Sequence, residues 1–140
     1  MSTYHINEAT FDVPDGWPDQ SINIFPSSRD VPTEFSLVVS RDEPQEGEQL
    51  DDYVARQLKQ LYEQLPNLRV LRREELTVGG EPALEAEFTW RADAGTMRQR
   101  QVYIVRDGKA LTLTATAQER LYAKYEAVLD DIVSSFSFRR

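Results

Sequence analysis

Two stretches of this chain alternate apolar and polar residues with a period of two, and a tight-turn dipeptide precedes each. Leu84-Glu85-Ala86-Glu87-Phe88-Thr89-Trp90-Arg91 follows Gly79-Gly80, and Ala110-Leu111-Thr112-Leu113-Thr114-Ala115-Thr116 follows Asp107-Gly108. Successive side chains of a strand point to opposite faces, so such runs read as strands with one face towards a core. The two dipeptides suit primed hairpin turns, which need positive φ at low steric cost. This half of the chain is thereby restricted to antiparallel strands joined by short turns.

The turns also suggest a register. With Asp107-Gly108 closing a two-residue hairpin, Ile104 faces Leu111 and Val102 faces Leu113. A loop centred near Ala94 would set Ala86 opposite Val102 and Leu84 opposite Ile104. Those six side chains are then expected on one helix-covered face. Glu85, Glu87, Gln99, Gln101, Tyr103, Thr112 and Thr114 are expected on the other, polar face.

Two helices interrupt the strands. The first is expected over 49–65, where Leu50, Val54, Leu58, Leu61 and Leu65 form an apolar stripe. Asp51 and Asp52 favour its positive end, and Pro66 stops it. The second is expected over 118–136, with Leu121, Tyr125, Val128, Leu129, Ile132 and Phe136 at helical spacing. Phe35-Ser36-Leu37-Val38-Val39 and the run ending at Phe25 supply further strands. The order is three strands, a helix, four strands and a helix. That order predicts an α+β fold, an antiparallel sheet of about six or seven strands with two main helices packed on it. The loop-like segments, 26–32 and 43–48, are short enough to be connections within one domain, taken as 1–140.

Composition excludes several classes of function. The chain has 140 residues, 24 acids against 16 lysines and arginines, and a formal charge of −8. Binding to a phosphate backbone needs a basic footprint, so nucleic acid is not an expected partner. With no cysteine there is neither a disulfide nor a thiolate metal site. The first residues show no basic segment followed by an apolar one, and no apolar run approaches the roughly 18 residues of a membrane span. A soluble cytoplasmic protein that does not itself insert into membranes is expected.

Chemistry is sparse. The single histidine, His5, has no acid or nucleophile fixed beside it by local spacing. The acidic pairs Asp51-Asp52, Glu74-Glu75 and Asp130-Asp131 do not share a face on a helix or a strand. Phosphate-loop, nucleophile-elbow and dinucleotide patterns are missing. No enzyme activity, cofactor or metal is expected. Two features stand out from the scaffold. Gln57 falls inside the apolar arc of the first helix, where an amide needs a hydrogen-bond partner or a wet edge. Ile22 and Ile24 share one strand face, as do Phe35, Leu37 and Val39. These are either core or an exposed apolar surface for another apolar object.

Four segments, in this order and spacing, resemble the Eag family of chaperones for type VI secretion effectors. They are Asp19-Gln20-Ser21-Ile22-Asn23-Ile24-Phe25, Val39-Ser40-Arg41-Asp42, Tyr53-Val54-Ala55-Arg56-Gln57-Leu58 and Arg100-Gln101-Val102-Tyr103-Ile104. Tyr4, Pro14, Trp17 and Gln64-Leu65-Pro66 add to the likeness. The resemblance implies a Mog1/PsbP-like fold assembled as a homodimer. It also implies a role in holding the N-terminal transmembrane segments of an effector, commonly one with a PAAR domain, before loading on the secretion spike. By match of motif, Ile22, Ile24 and Val39 resemble the family's apolar client contacts, and Gln57 and Gln101 its polar ones. These five are expected around one concave surface. The alternative is a Mog1/PsbP-like module for a soluble partner, with Ile22, Ile24 and Val39 buried in the core.

Overall fold

The computed structural model describes residues 1–29 and 34–139. Residues 30–33, part of the loop expected over 26–32, lie outside the described residues, as does Arg140. In chain order the elements are β1 (Ser2–His5), β2 (Thr10–Val13), β3 (Ile22–Pro26), β4 (Phe35–Asp42), α1 (Leu50–Gln64), β5 (Arg69–Val78), β6 (Glu81–Ala92), β7 (Gly95–Arg106), β8 (Lys109–Gln118) and α2 (Glu119–Ser134). The α+β architecture is as expected. A six-stranded antiparallel sheet runs β3-β4-β8-β7-β6-β5, and β1 pairs with β2 in a separate hairpin. Four strands therefore precede α1, not three. Thr3 bonds to Asp12 across the extra hairpin, and Ser2 and the terminal amine bond to Asp15 just beyond it.

Local signals account for the turns. Gly79 and Gly80 have φ of 57° and 85°, and Asp107 and Gly108 have 52° and 73°. Each pair closes a two-residue hairpin, between Val78 and Glu81 and between Arg106 and Lys109. At Gly79 a Cβ would also lie 2.9 Å from the Phe138 ring. α1 begins where the Gln49 N–H donates to Asp52 at 3.2 Å. It ends at Leu65, whose extended backbone suits the residue before a proline.

The β7–β8 register is the expected one, with Ile104 opposite Leu111 and Val102 opposite Leu113. The β6–β7 register differs by one residue. Ala92 pairs with Gly95, so Asp93-Ala94 is a two-residue turn, and Ala86 faces Gln101 while Leu84 faces Tyr103. A slip of one residue moves a whole strand's side chains to the other face. Leu84, Ala86 and Phe88 consequently join Tyr103 and Ala110 beneath Tyr53, Val54 and Leu58 of α1. Val102, Ile104, Leu113 and Ala115 lie on the opposite face, beneath Tyr122, Leu129 and Val133 of α2. The expected contrast of one dry face and one wet face gives way to a helix on each side.

The same shift puts Glu85 and Glu87 under α2, 3% and 4% exposed. Glu85 lies 2.5 Å from Arg72 and 2.9 Å from Arg100, which reaches Asp130 of α2 at 2.7 Å. Glu87 lies 2.6 Å from Arg98, which also meets Glu119 at 3.1 Å. The Tyr122 hydroxyl donates to Glu87 at 2.9 Å. Burial alone would raise the Glu87 carboxyl, but Arg98 and Tyr122 hold it below its ordinary value of 4.5.

Removing one member of a buried ion pair strands the other, so Glu87→Ala should destabilise the fold by about 3 kcal/mol in chemical denaturation. The depressed carboxyl adds stability that is fully present above its unfolded value and fades as pH falls through its folded one. Denaturant midpoints followed downward from neutral pH should therefore fall less steeply in Glu87→Gln than in the wild type.

Candidate functional site

α1 sits over β6, β7 and the start of β8 at Ala110, and among the described residues the apolar cluster beneath it includes no residue of β3 or β4. Residues directly opposite in antiparallel strands share a face, so the pairing defines rows across this surface. One row is Ile24, Val38, Thr114, Gln101 and Ala86. The next is Ile22, Ser40, Thr112, Tyr103 and Leu84. Ile22 is 59% exposed and Ile24 66%, whereas Ala86 and Leu84 lie under α1. Ile24 and Gln101 are three strand spacings apart, about 14 Å. The result is a ledge: an uncharged floor on β3, β4, β8 and β7, bounded on one side by α1.

Val39 does not join this surface. It pairs with Asn23 and Leu113 and packs, partly buried, on the apolar cluster beneath α2. Its neighbour Val38 stands beside Ile24 instead. The period of two makes the choice, since adjacent residues of β4 cannot share a face.

The polar floor is organised by hydrogen bonds. The Tyr103 hydroxyl donates to Gln101 Oε1, Gln101 Nε2 donates to Gln99 Oε1 at 3.1 Å, and Gln99 Nε2 donates to Thr116 Oγ1 at 2.7 Å. Burial pushes the Tyr103 hydroxyl well above its ordinary pKa, so it stays protonated and able to donate. On the wall, Tyr53 packs edge-on against Tyr103 at 6.4 Å and donates to Asp42 at 3.0 Å, tying α1 to the end of β4. Burial, with Asp42 beside it, pushes the Tyr53 hydroxyl up to about 12. Gln57 follows Tyr53 by one turn, between it and Leu61 on the helix surface. It is half-buried, and its amide has no hydrogen-bond partner among the described residues.

Of the five expected site residues, the floor thus brings Ile22, Ile24 and Gln101 onto one face, and Gln57 stands on the flank of α1 nearest them. Val38, Gln99, Tyr103 and Thr116 belong to this surface without having been singled out as site residues in the sequence. Adjacent valines in β4 hide which of them faces Ile24, and the side-chain line depends on contacts between strands. Its chemistry is that of neutral donors and acceptors beside aliphatic groups. His5 is exposed on β1, and among the described residues no cluster of His and carboxylates is arranged to hold a metal ion. No helix among them is long and apolar enough to cross a membrane.

Comparison with known proteins places this geometry. The model of the DcrB family matches residues 8–135. Effector EagT6 of Pseudomonas aeruginosa is 38% identical over 117 residues, 83% of this chain and 81% of its own. A crystal structure of a Pseudomonas aeruginosa protein of unknown function has a TM-score of 0.88 at 32% identity, covering 100% of this chain and 98% of that one. The cyanobacterial PsbP of Synechocystis shares the fold at a TM-score of 0.61 and 15% identity, over 99% of this chain and 92% of its own. The sheet order, the Eag-like motifs and these matches converge: the chain belongs to the DcrB family, as an Eag-like member with a Mog1/PsbP-like fold.

Proposed function

We propose that this protein is a non-enzymatic, cytoplasmic chaperone of type VI secretion. In this reading it binds the N-terminal transmembrane helices of an effector, one bearing a PAAR domain, and shields them until the effector is loaded on the spike. The observation that carries the reading is the open ledge, where Ile22 and Ile24 are exposed on the face that carries Gln101, Ile24 in the same row as the amide. The identity with a relative named as Effector EagT6 supports it further.

A membrane-spanning helix brings on the order of 20 apolar residues into water and needs an apolar surface to lie on. Side-chain amides on that surface can bond polar atoms of the client, as polar groups do between membrane helices. Ile22, Ile24 and Val38 form the apolar contact, with Gln101 on the floor and Gln57 on the wall. Val39 acts from beneath, as part of the packing that supports β4. One chain supplies a floor and a single wall, and a second copy in a homodimer supplies the other. The net charge of −8 keeps such a complex in solution.

Ile24→Asp should abolish co-purification with an effector fragment carrying its N-terminal apolar helices, while the free protein keeps its melting temperature. Leu113→Asp, in the core under α2, should unfold the protein itself. Unfolding by both substitutions alike would return Ile24 to the core and end this reading. Gln57→Ala should weaken binding by about 1 kcal/mol in titration calorimetry.

The two valines of β4 give an independent check on the floor. Val39→Asp should lower stability by about 2 kcal/mol, whereas Val38→Asp should leave stability nearly unchanged and impair client binding. Light scattering at micromolar concentration should give the mass of two chains, and a single-chain mass would remove the second wall.

A further inference from the structure

Gln101 stands where the row containing Ile24 crosses the line of side-chain hydrogen bonds running from Tyr103 through Gln99 to Thr116. The direction of that line is set at its buried end. Tyr103 is 2% exposed, and its hydroxyl makes no other hydrogen bond among the described residues. With both amides turned over, the Tyr103 proton would be buried without an acceptor, which is the costlier arrangement. At the far end Thr116 is half-buried, and its hydroxyl rotates to suit either neighbour. The carbonyl of Gln101 therefore points to Tyr103 and its amino group to Gln99.

We propose that Tyr103, with Gln99 behind it, is a positioning residue that locks the Gln101 carboxamide for a polar side chain of the client. The inference rests on the client-binding role of the open ledge. Locking leaves one N–H and one carbonyl lone pair of Gln101 in fixed places, with a fixed polarity along β7. The partner this fits is an apolar helix that carries a carboxamide among its aliphatic residues. Such a group pairs with Gln101 through one donor and one acceptor. Tyr103 thus sets the register in which the client lies.

The probes are two lysine-flanked leucine–alanine helices of about 20 residues. One carries a central asparagine and the other a leucine at the same place. Tyr103→Phe keeps the ring against Tyr53 and removes only the hydroxyl. It should lower affinity for the asparagine peptide about fivefold and leave the leucine peptide unaffected. Gln101→Ala should lower affinity for the asparagine peptide by a similar factor. The double variant should lose no more than either single one, because both changes remove the same interaction. Equal losses for both peptides in Tyr103→Phe, no loss, or losses that multiply in the double variant would overturn the proposal. Should Tyr103→Phe not fold, Gln99→Leu releases the other end of the amide and is read in the same way. Ile24→Asp separates the two levels of the argument. If both peptides still bind that variant, the ledge itself is not the client site. If neither binds it yet Tyr103→Phe does not discriminate between them, only the positioning role fails.

Discussion

Charge compensation beneath α2 governs how this molecule is put together. Glu85 and Glu87 sit in the middle of β6 with their carboxylates out of water, a position that is costly without paired cations. Arg72 reaches in from β5 and Arg98 and Arg100 from β7, so three adjacent strands are joined by their side chains as well as by their backbones. Asp130, Glu119 and Tyr122 extend the network onto α2. The helix is thereby held over β7 and β8 by polar bonds on one flank and by apolar packing on the other. Apolar contacts alone are non-directional. The ion pairs give α2 a defined seat.

With α2 committed to that face, α1 covers only part of the other. Its stripe of Val54, Leu58 and Leu61 fits over Leu84, Ala86 and Phe88, and the bond from Tyr53 to Asp42 fixes its flank. The remainder of that face, towards β3, stays open. The ledge is therefore what is left when two helices are distributed over a sheet wider than either can cover. The polar residues in the rows of Ile22 and Ile24 are neutral, and the carboxylate further along that face of β4, Asp42, accepts from the Tyr53 hydroxyl. An apolar helix laid along those two rows meets no fixed charge in them.

Much of this was readable from the residues, and the exceptions have specific causes. Gly79-Gly80 and Asp107-Gly108 marked their turns because both residues of each need positive φ. The helical stripes marked α1 and α2 to within two residues at each end. Asp93-Ala94 carries no such mark, and centring the loop on Ala94 instead of between the two residues shifted the β6–β7 pairing by one. That single step inverted β6. Alternation on β6 was real, but it could not reveal that Glu85 and Glu87 meet arginines and not water. Alternation on β4 did set Val39 with Phe35 and Leu37, apart from Val38, and those three pack beneath α2; it was the motif likeness that put Val39 among the expected site residues. Ile22, Ile24 and Gln101 emerged from motif likeness, and their alignment on one face needed the strand order.

That order also gives the ledge an uneven stiffness. β7, which carries Gln101, is hydrogen-bonded along both sides, between β6 and β8. β3, which carries Ile22 and Ile24, is an edge strand, paired among the described residues with β4 alone and ended by Pro26. The amide is mounted on the least yielding part of the sheet and the isoleucines on the most yielding. A surface built this way can keep one contact in register while its rim shifts to suit side chains of different bulk. On the proposed reading of the ledge, this would let apolar helices of different sequence share one face.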